Sequence, residues 1–120
     1  MAKAGPRPEI SVAAQTSAST WTDLTFLPIS DNRCLKVELD VSARKGDNSG
    51  FASFRREGFF FRTDGGVQSR KDIHSGFTEK THQSFDIRAV LGADRVTFQI
   101  KAPDNQQTFW RGKLKIKASF

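Results

Sequence analysis

The sequence predicts an all-β fold, an antiparallel β-sandwich, with a jelly roll or a small barrel as the alternative arrangement. Apolar and polar residues alternate along several segments, which is the period of a strand with one buried face. Turn-forming residues such as Asp64-Gly65-Gly66 separate these segments, and no segment has helical periodicity. The length of 120 residues suits one domain. We place it at residues 20–120, after a flexible N-terminal arm at residues 1–19.

The predicted arm is rich in Ala, Ser, Pro and Thr and has little periodicity, so alone it cannot bury enough apolar surface to fold. Two interpretations stay open: a disordered terminus without a task, or a segment that becomes ordered on a neighbouring subunit. Pro and charged residues stand where a signal peptide needs its apolar run, so we expect no export signal and synthesis in a reducing cytoplasm.

Three segments after the arm carry strand patterns. A strand is predicted near residues 19–27, and the clearest alternation follows at residues 35–41. Residues 51–61 form a Phe-rich strand that leads into the Asp-Gly-Gly hairpin. Residues 72–83 are the least periodic part of the chain, and we predict a long loop or an irregular edge there.

Residues 84–120 hold three alternating segments separated by two short polar turns, which predicts a β-meander. The chain has eleven Phe, two Trp and no Tyr, so large apolar rings do most of the packing. The core anchors that we expect are Trp110, Phe98, Phe85 and Trp21.

The formal net charge of +6, from 19 basic and 13 acidic residues, first suggests a nucleic-acid partner. The basic residues are spread along the chain instead of forming one tract, which also suits an acidic protein surface or an anionic host-surface glycan. Nucleic-acid binding therefore ranks last among these partners. No stretch is apolar enough to span a membrane, so we expect no membrane insertion.

The outward face of the last predicted strand carries a basic row, Arg111, Lys113, Lys115 and Lys117. Two interpretations stay open for this basic row. Lysines on an exposed or edge strand prevent pairing between sheets of different molecules. The same row, reinforced by Arg95 and Lys101 of the neighbouring predicted strand, would also suit an acidic partner.

Three consecutive Phe residues, 59–61, cannot all face one side of a strand. Either Phe59 and Phe61 point inward with Phe60 under a loop, or Phe60 is displayed as a docking ring. We keep Phe60 together with the basic row as the candidate docking residues.

Residue types that serve in catalysis are present, but no pattern joins them. His74 and His82 are too far apart for familiar metal motifs, and the single Cys34, which we expect to be buried, excludes an internal disulfide. Neither a Gly-rich phosphate loop nor a nucleophile elbow occurs. We expect no enzymatic activity, no catalytic residues, no metal site and no cofactor.

The run from Asp94 to Lys101, the turn Asp104-Asn105-Gln106 and the strand that opens with Phe109-Trp110 resemble a small β-domain of tailed-bacteriophage virion proteins. Such domains end in a strand, a short polar turn and a strand in which Trp is followed by alternating apolar and basic residues. The resemblance covers about residues 33–119 and departs at Gly112, where another side chain is usual.

The resemblance implies a structural role in a virion for a protein made in the bacterial cytoplasm. It implies phage capsid or tail proteins as partners and a homo-oligomer, with a trimer as one option. The chain has no long shaft before its sandwich, which favours an accessory head cement or decoration protein or a minor tail protein. The alternative is a carbohydrate- or receptor-binding module of a tail fibre or baseplate.

Overall fold

The computed structural model describes residues 9–69 and 74–120, which contain nine β-strands and no helix. Accordingly, nothing in these two ranges is a helix long and apolar enough to cross a membrane. All described strand pairs are antiparallel, and the prediction of an all-β antiparallel sandwich is confirmed. In chain order the strands are β1 Glu9–Thr16, β2 Thr22–Pro28, β3 Cys34–Lys45, β4 Phe51–Thr63, β5 Gly66–Ser69, β6 His74–Lys80, β7 Asp86–Leu91, β8 Arg95–Lys101 and β9 Thr108–Ser119.

The strands form a large sheet and a small sheet. The large sheet has the order β1-β9-β3-β4-β5, and the small sheet has the order β2-β8-β7. Strand β6 also pairs with β4, along residues 52–57, whereas β5 pairs with residues 60–63, so β5 and β6 share one edge of β4. The outer face of each sheet is the face that points away from the other sheet.

The core lies between the sheets and is filled by the inward rows of both. On β3 the apolar side chains of Leu35 to Val41 are buried at every second position, as the alternation predicts. Aromatic pairs join the two layers, because Phe60 packs edge to face on Phe98 and Trp110 packs on Phe85, both with ring centroids 6.1 Å apart. Trp110, Phe98 and Phe85 are each at most 1% exposed.

Much of the predicted arm is a strand. Strand β1 pairs with β9 from Glu9 opposite Lys115 to Thr16 opposite Thr108. Thr16 is buried, and its Oγ1 accepts a hydrogen bond of 3.1 Å from Trp110 Nε1. The prediction of a flexible arm is therefore wrong for residues 9–16, where short Ala side chains weaken the visible alternation. Residues 1–8 lie outside the described residues.

The predicted β-meander is wrong in its last step. Strands β7 and β8 form the expected hairpin, but β9 crosses to the large sheet and pairs there with β1 and β3. Alternation defines which face of a strand is buried and leaves its partner undefined. Strand β9 is therefore a central strand of the large sheet, which contradicts the interpretation of its lysines as protection of an edge.

The weakly periodic residues 72–83 contain strand β6, His74–Lys80, at the edge of the large sheet. The register between β4 and β6 shifts between Arg55 and Arg56. A long loop is therefore the wrong prediction over His74–Lys80, whereas an irregular edge describes that segment correctly. Residues 70–73 lie outside the described part of the chain.

A β-bulge interrupts the pairing of β3 with β9. Lys36 pairs with Ala118 whereas Val37 pairs with Ile116, so Lys117 is the extra residue. This insertion reverses the facing of the residues after it, which moves Ala118 and Phe120 to the outer face. It also removes Lys117 from the regular alternation of the predicted basic row.

Lys45 and Asp104 form an ion pair at the end of the sandwich, with Nζ and Oδ2 2.6 Å apart. The Lys45 side chain is 5% exposed and that of Asp104 is 40% exposed. The hydrogen bond from Lys45 is the main cause that lowers the pKa of the Asp104 carboxyl, and the Gln106 backbone N–H adds to it.

Asp104→Asn is expected to lower the free energy of unfolding near neutral pH by about 1 to 3 kcal/mol, because it leaves a buried ammonium without its carboxylate. Because the Asp104 side chain is partly exposed to water, the loss of stability should be smaller than for breaking a fully buried ion pair. A carboxyl with a lowered folded pKa stabilises the fold above its unfolded pKa, and the contribution disappears as the pH falls.

The difference between wild type and Asp104→Asn in urea denaturation should therefore shrink as the pH falls from about 5 to about 2. Taking the difference at each pH removes the effect of other carboxyl groups. A difference that stays constant over this range would contradict the assigned role of Asp104.

Candidate functional site

The outer face of the large sheet carries three zones along β9, β3 and β4. At one end is a groove between Phe51 and Phe109, in the middle is a ladder of ion pairs, and at the other end is a cluster of Phe rings. We call these zones the groove, the charge ladder and the aromatic patch. Along β3 the face extends about 33 Å from Cys34 to Arg44, at the usual rise per residue.

The charge ladder neutralises much of the predicted basic row. Lys113 Nζ lies 3.3 Å from Glu9 Oε1 of β1, and Lys115 Nζ lies 4.0 Å from Glu38 Oε1 of β3. Both contacts follow from the central position of β9, which places an acidic neighbour on each side. The row therefore presents both signs of charge instead of a continuous positive stripe.

A third ion pair extends the charge ladder to β4. Arg55 Nε donates to Asp40 Oδ1 at 2.9 Å, and this hydrogen bond raises the pKa of the Arg55 guanidinium. Arg95 and Lys101, predicted to reinforce the basic row, lie on β8 in the small sheet. That prediction is wrong because β8 is not a neighbour of β9.

The aromatic patch consists of Phe59, Phe61 and Phe120. The ring centroids of Phe59 and Phe61 are 6.4 Å apart, and those of Phe59 and Phe120 are 6.2 Å apart. Phe120 is 68% exposed and Phe59 is 40% exposed. Clustered apolar rings that face water mark contact surfaces for other molecules.

Phe60 is not part of this surface. It is 1% exposed and packs against Phe98 in the core. The prediction of Phe60 as a docking ring is wrong, and so is the alternative in which Phe59 and Phe61 point inward. The polar residues of β4 indicate which of its faces points outward, because Ser53 and Arg55 lie on the outer side together with Phe59.

The groove lies where β9 begins and β3 ends, with a volume of about 990 Å³. Its walls include the rings of Phe51 and Phe109, and its floor includes Ser42 and Ser53. The two serine Oγ atoms are 3.1 Å apart and share a hydrogen bond. The groove therefore combines apolar ring faces with a polar floor.

Two guanidinium groups give the groove its positive charge. The Cζ atom of Arg44 lies 5.0 Å from the centroid of Phe109, a cation–π contact, and its Nη1 donates to Asn48 Oδ1 at 2.9 Å. Arg111 is exposed beside it. Glu79 and Lys80 also line the groove, and the Lys80 ammonium donates to the backbone carbonyls of Gln83 and Phe85.

Trp21 lies on the outer face of the small sheet. It is only half-buried, with Arg88 Cζ 4.2 Å and Lys101 Nζ 5.7 Å from its ring. The prediction of Trp21 as a core anchor is therefore wrong. On the same face Phe26 is 48% exposed, and Arg95 Cζ lies 4.5 Å from its ring centroid.

The described side chains considered for catalysis or metal binding form no cluster. Among the described side chains, which do not include those of residues 1–8 and 70–77, no group of His, Cys, Asp and Glu is arranged to hold a metal ion. His82 has its Nδ1 2.9 Å from Thr81 Oγ1 and packs on Phe85, and the side chain of His74 is outside the described part. Cys34, predicted to be buried, is half-buried and free.

The structure brings together groove residues that the sequence analysis did not single out, namely Ser42, Arg44, Phe51 and Ser53. They come from two strands and meet Phe109 and Arg111 of a third only through the pairing of β9 with β3. The alternation along each strand places all of these residues on outward faces, so their exposure could be predicted from the sequence. Their proximity could not be predicted, because the sequence does not show that β9 pairs with β3.

No protein-family model and no curated protein matches this chain. Among solved structures, the chain is similar in fold to the tailspike protein of Acinetobacter baumannii phage AM24, with a TM-score of 0.48 and 7% sequence identity. The match covers 90% of this chain and 26% of the tailspike chain, so this chain spans about a quarter of the length of that protein.

Proposed function

We propose that this chain is a non-enzymatic accessory subunit of a bacteriophage particle, either a head cement or decoration protein or a minor tail protein. The observation that carries the proposal is the aromatic patch, which offers exposed rings on the outer face of the large sheet as anchors for a neighbouring protein. The resemblance of residues 33–119 to virion β-domains supports placing this subunit in a bacteriophage particle. The partners are capsid or tail proteins, and a homo-oligomer such as a trimer suits their repeated surface.

Attachment through the aromatic patch needs few strong contacts. Aromatic anchors near the centre of an interface carry much of the binding energy, while surrounding contacts exclude water. The neighbouring charge ladder offers both signs of charge, which set the orientation of a partner more than its affinity. Many copies on a repeated lattice convert modest single contacts into firm attachment.

The double variant Phe59→Ser with Phe120→Ser tests the patch. We expect the domain to remain folded, because both rings are exposed, and binding to particles that lack this protein to weaken at least about tenfold, the loss of an aromatic anchor. Co-sedimentation measures the binding. Electron microscopy of saturated particles then distinguishes a head position from a tail position.

Phe26→Ser is the matched control, since Phe26 is 48% exposed on the small sheet. Undiminished binding by the double variant, or an equal loss in the control, would reject the patch as the docking surface. Deletion of residues 2–18 would not test docking by the N-terminal segment cleanly, because it removes β1 from the large sheet and so disturbs the fold.

A further inference from the structure

We infer that the groove on the outer face of the large sheet binds an oligosaccharide that carries carboxylate groups. The groove and the aromatic patch lie toward opposite ends of β3 and share no residue. The inference therefore goes beyond the docking role and stands on separate observations.

Two cross-strand rows build the groove. The first row is Phe109, Arg44 and Phe51, on β9, β3 and β4. Neighbouring strands are about 4.8 Å apart, so the two ring-bearing positions are about 10 Å apart. The second row is Arg111, Ser42, Ser53 and Glu79, which continues onto β6. The volume of about 990 Å³ is that of a site for a small molecule or a short oligomer.

The two rows offer what a sugar requires. A sugar ring has apolar C–H faces, which pack on aromatic rings, and Phe51 offers a ring that is 50% exposed. Its hydroxyl groups both donate and accept hydrogen bonds. The Ser42 and Ser53 hydroxyls can do both, while the Glu79 carboxylate accepts and the Arg111 guanidinium donates. The second row therefore matches a ligand with several hydroxyl groups.

The guanidinium groups select an acidic sugar. In the described ranges, no ion pair joins Arg44 or Arg111 to a carboxylate, whereas Lys113 and Lys115 both have one. Contacts with Phe109 and Asn48 hold the Arg44 guanidinium in place before any ligand arrives. A guanidinium binds a carboxylate through two parallel hydrogen bonds, so a uronic or sialic acid group matches these arginines.

Glu79 argues against a nucleic acid in the groove. It stands in the same row as Arg111 and would face a phosphate backbone with like charge, whereas sugar hydroxyl groups can donate to it. The Lys80 ammonium, the other nearby cation, is already bound to two backbone carbonyls. The charges of the groove thus favour isolated carboxylates on a hydroxyl-rich chain.

A panel of oligosaccharides that contain uronic or sialic acid, each with its methyl ester, tests the inference on the isolated chain of 120 residues. Calorimetry gives affinities, and backbone amide NMR shifts locate the bound sugar. We expect acidic members to bind in the groove and their esters to bind more weakly. Arg111→Gln and Phe51→Ala should each weaken binding at least about tenfold, since each removes a contact group that the ligand uses.

Lys113→Gln and Phe26→Ala are the matched controls for charge and ring, and both should bind like the wild type. Absence of binding by every acidic sugar, equal binding of acid and ester, or shifts confined to other surfaces would each overturn the inference. So would tighter binding of single-stranded DNA at the groove. The double variant Phe59→Ser with Phe120→Ser should keep sugar binding, so the docking proposal and this inference fail independently.

Discussion

Trp110→Ala is expected to lower the free energy of unfolding by about 3 to 5 kcal/mol, the usual effect of truncating a fully buried Trp. The side chain is 0% exposed and packs edge to face on Phe85, the residue directly before β7 of the small sheet. Its indole N–H is bonded to Thr16 of β1. One substitution therefore loosens the contact between the layers and the attachment of β1, and chemical denaturation measures the loss.

Thr16→Val separates the two contributions, because it retains the volume and removes the hydroxyl. The unpaired indole N–H should destabilise the fold by about 1 to 3 kcal/mol, less than the loss of the ring. A loss below about 1 kcal/mol for Trp110→Ala would instead place this ring at the surface.

Gly112→Ala is the second large effect that we expect. A Cβ atom at Gly112 would lie 2.0 Å from the Asp40 backbone oxygen and 2.8 Å from Val41 Cγ2, both on β3. The obstacle is mainly backbone, so β3 and β9 must move apart at the centre of the large sheet. The loss of stability should exceed the about 1 to 3 kcal/mol of ordinary overpacking.

Gly65→Ala is the control for Gly112→Ala. A Cβ atom at Gly65 finds its nearest neighbour, Gln68 Nε2, at an ordinary 3.4 Å. Its stability should stay within about 0.5 kcal/mol of wild type, as for most surface substitutions. If Gly112→Ala were equally mild in urea denaturation, the close approach of β3 to β9 would be wrong.

Strands with clear alternation, such as β3, could be predicted together with their buried face because alternation is a local property, whereas β1 and the facing of Phe60 could not. Alternation predicts a strand over residues 35–41, and Cys34–Lys45 is one. The partner of β9 could not be predicted in this way, because consecutive strands usually pair and the turn after β8 instead crosses between sheets. Ala102 is 0% exposed in that crossing.

The candidate site was predictable only in part, for the same reason. Alternation identifies Arg111, Lys113 and Lys115 as outward, but the acidic partners of the two lysines, Glu9 and Glu38, belong to β1 and β3, which are distant in sequence. The β-bulge at Lys117 brings Phe120 next to Phe59, and no local sequence pattern predicts this bulge. The facing of Phe60 was not predicted because Arg56 and Arg62 interrupt the inner row of β4, so alternation is weak there.

The central place of β9 also affects how the chain folds. Until β9 docks, β1 has no partner and the inner edge of β3 is open, so the β3–β4 hairpin exposes a strand edge that can pair with another molecule. Such distant pairing slows folding relative to proteins with local contacts. We expect refolding yield to fall as protein concentration rises, and pulse-labelled hydrogen exchange to show protection of β3 and β4 amides before those of β1.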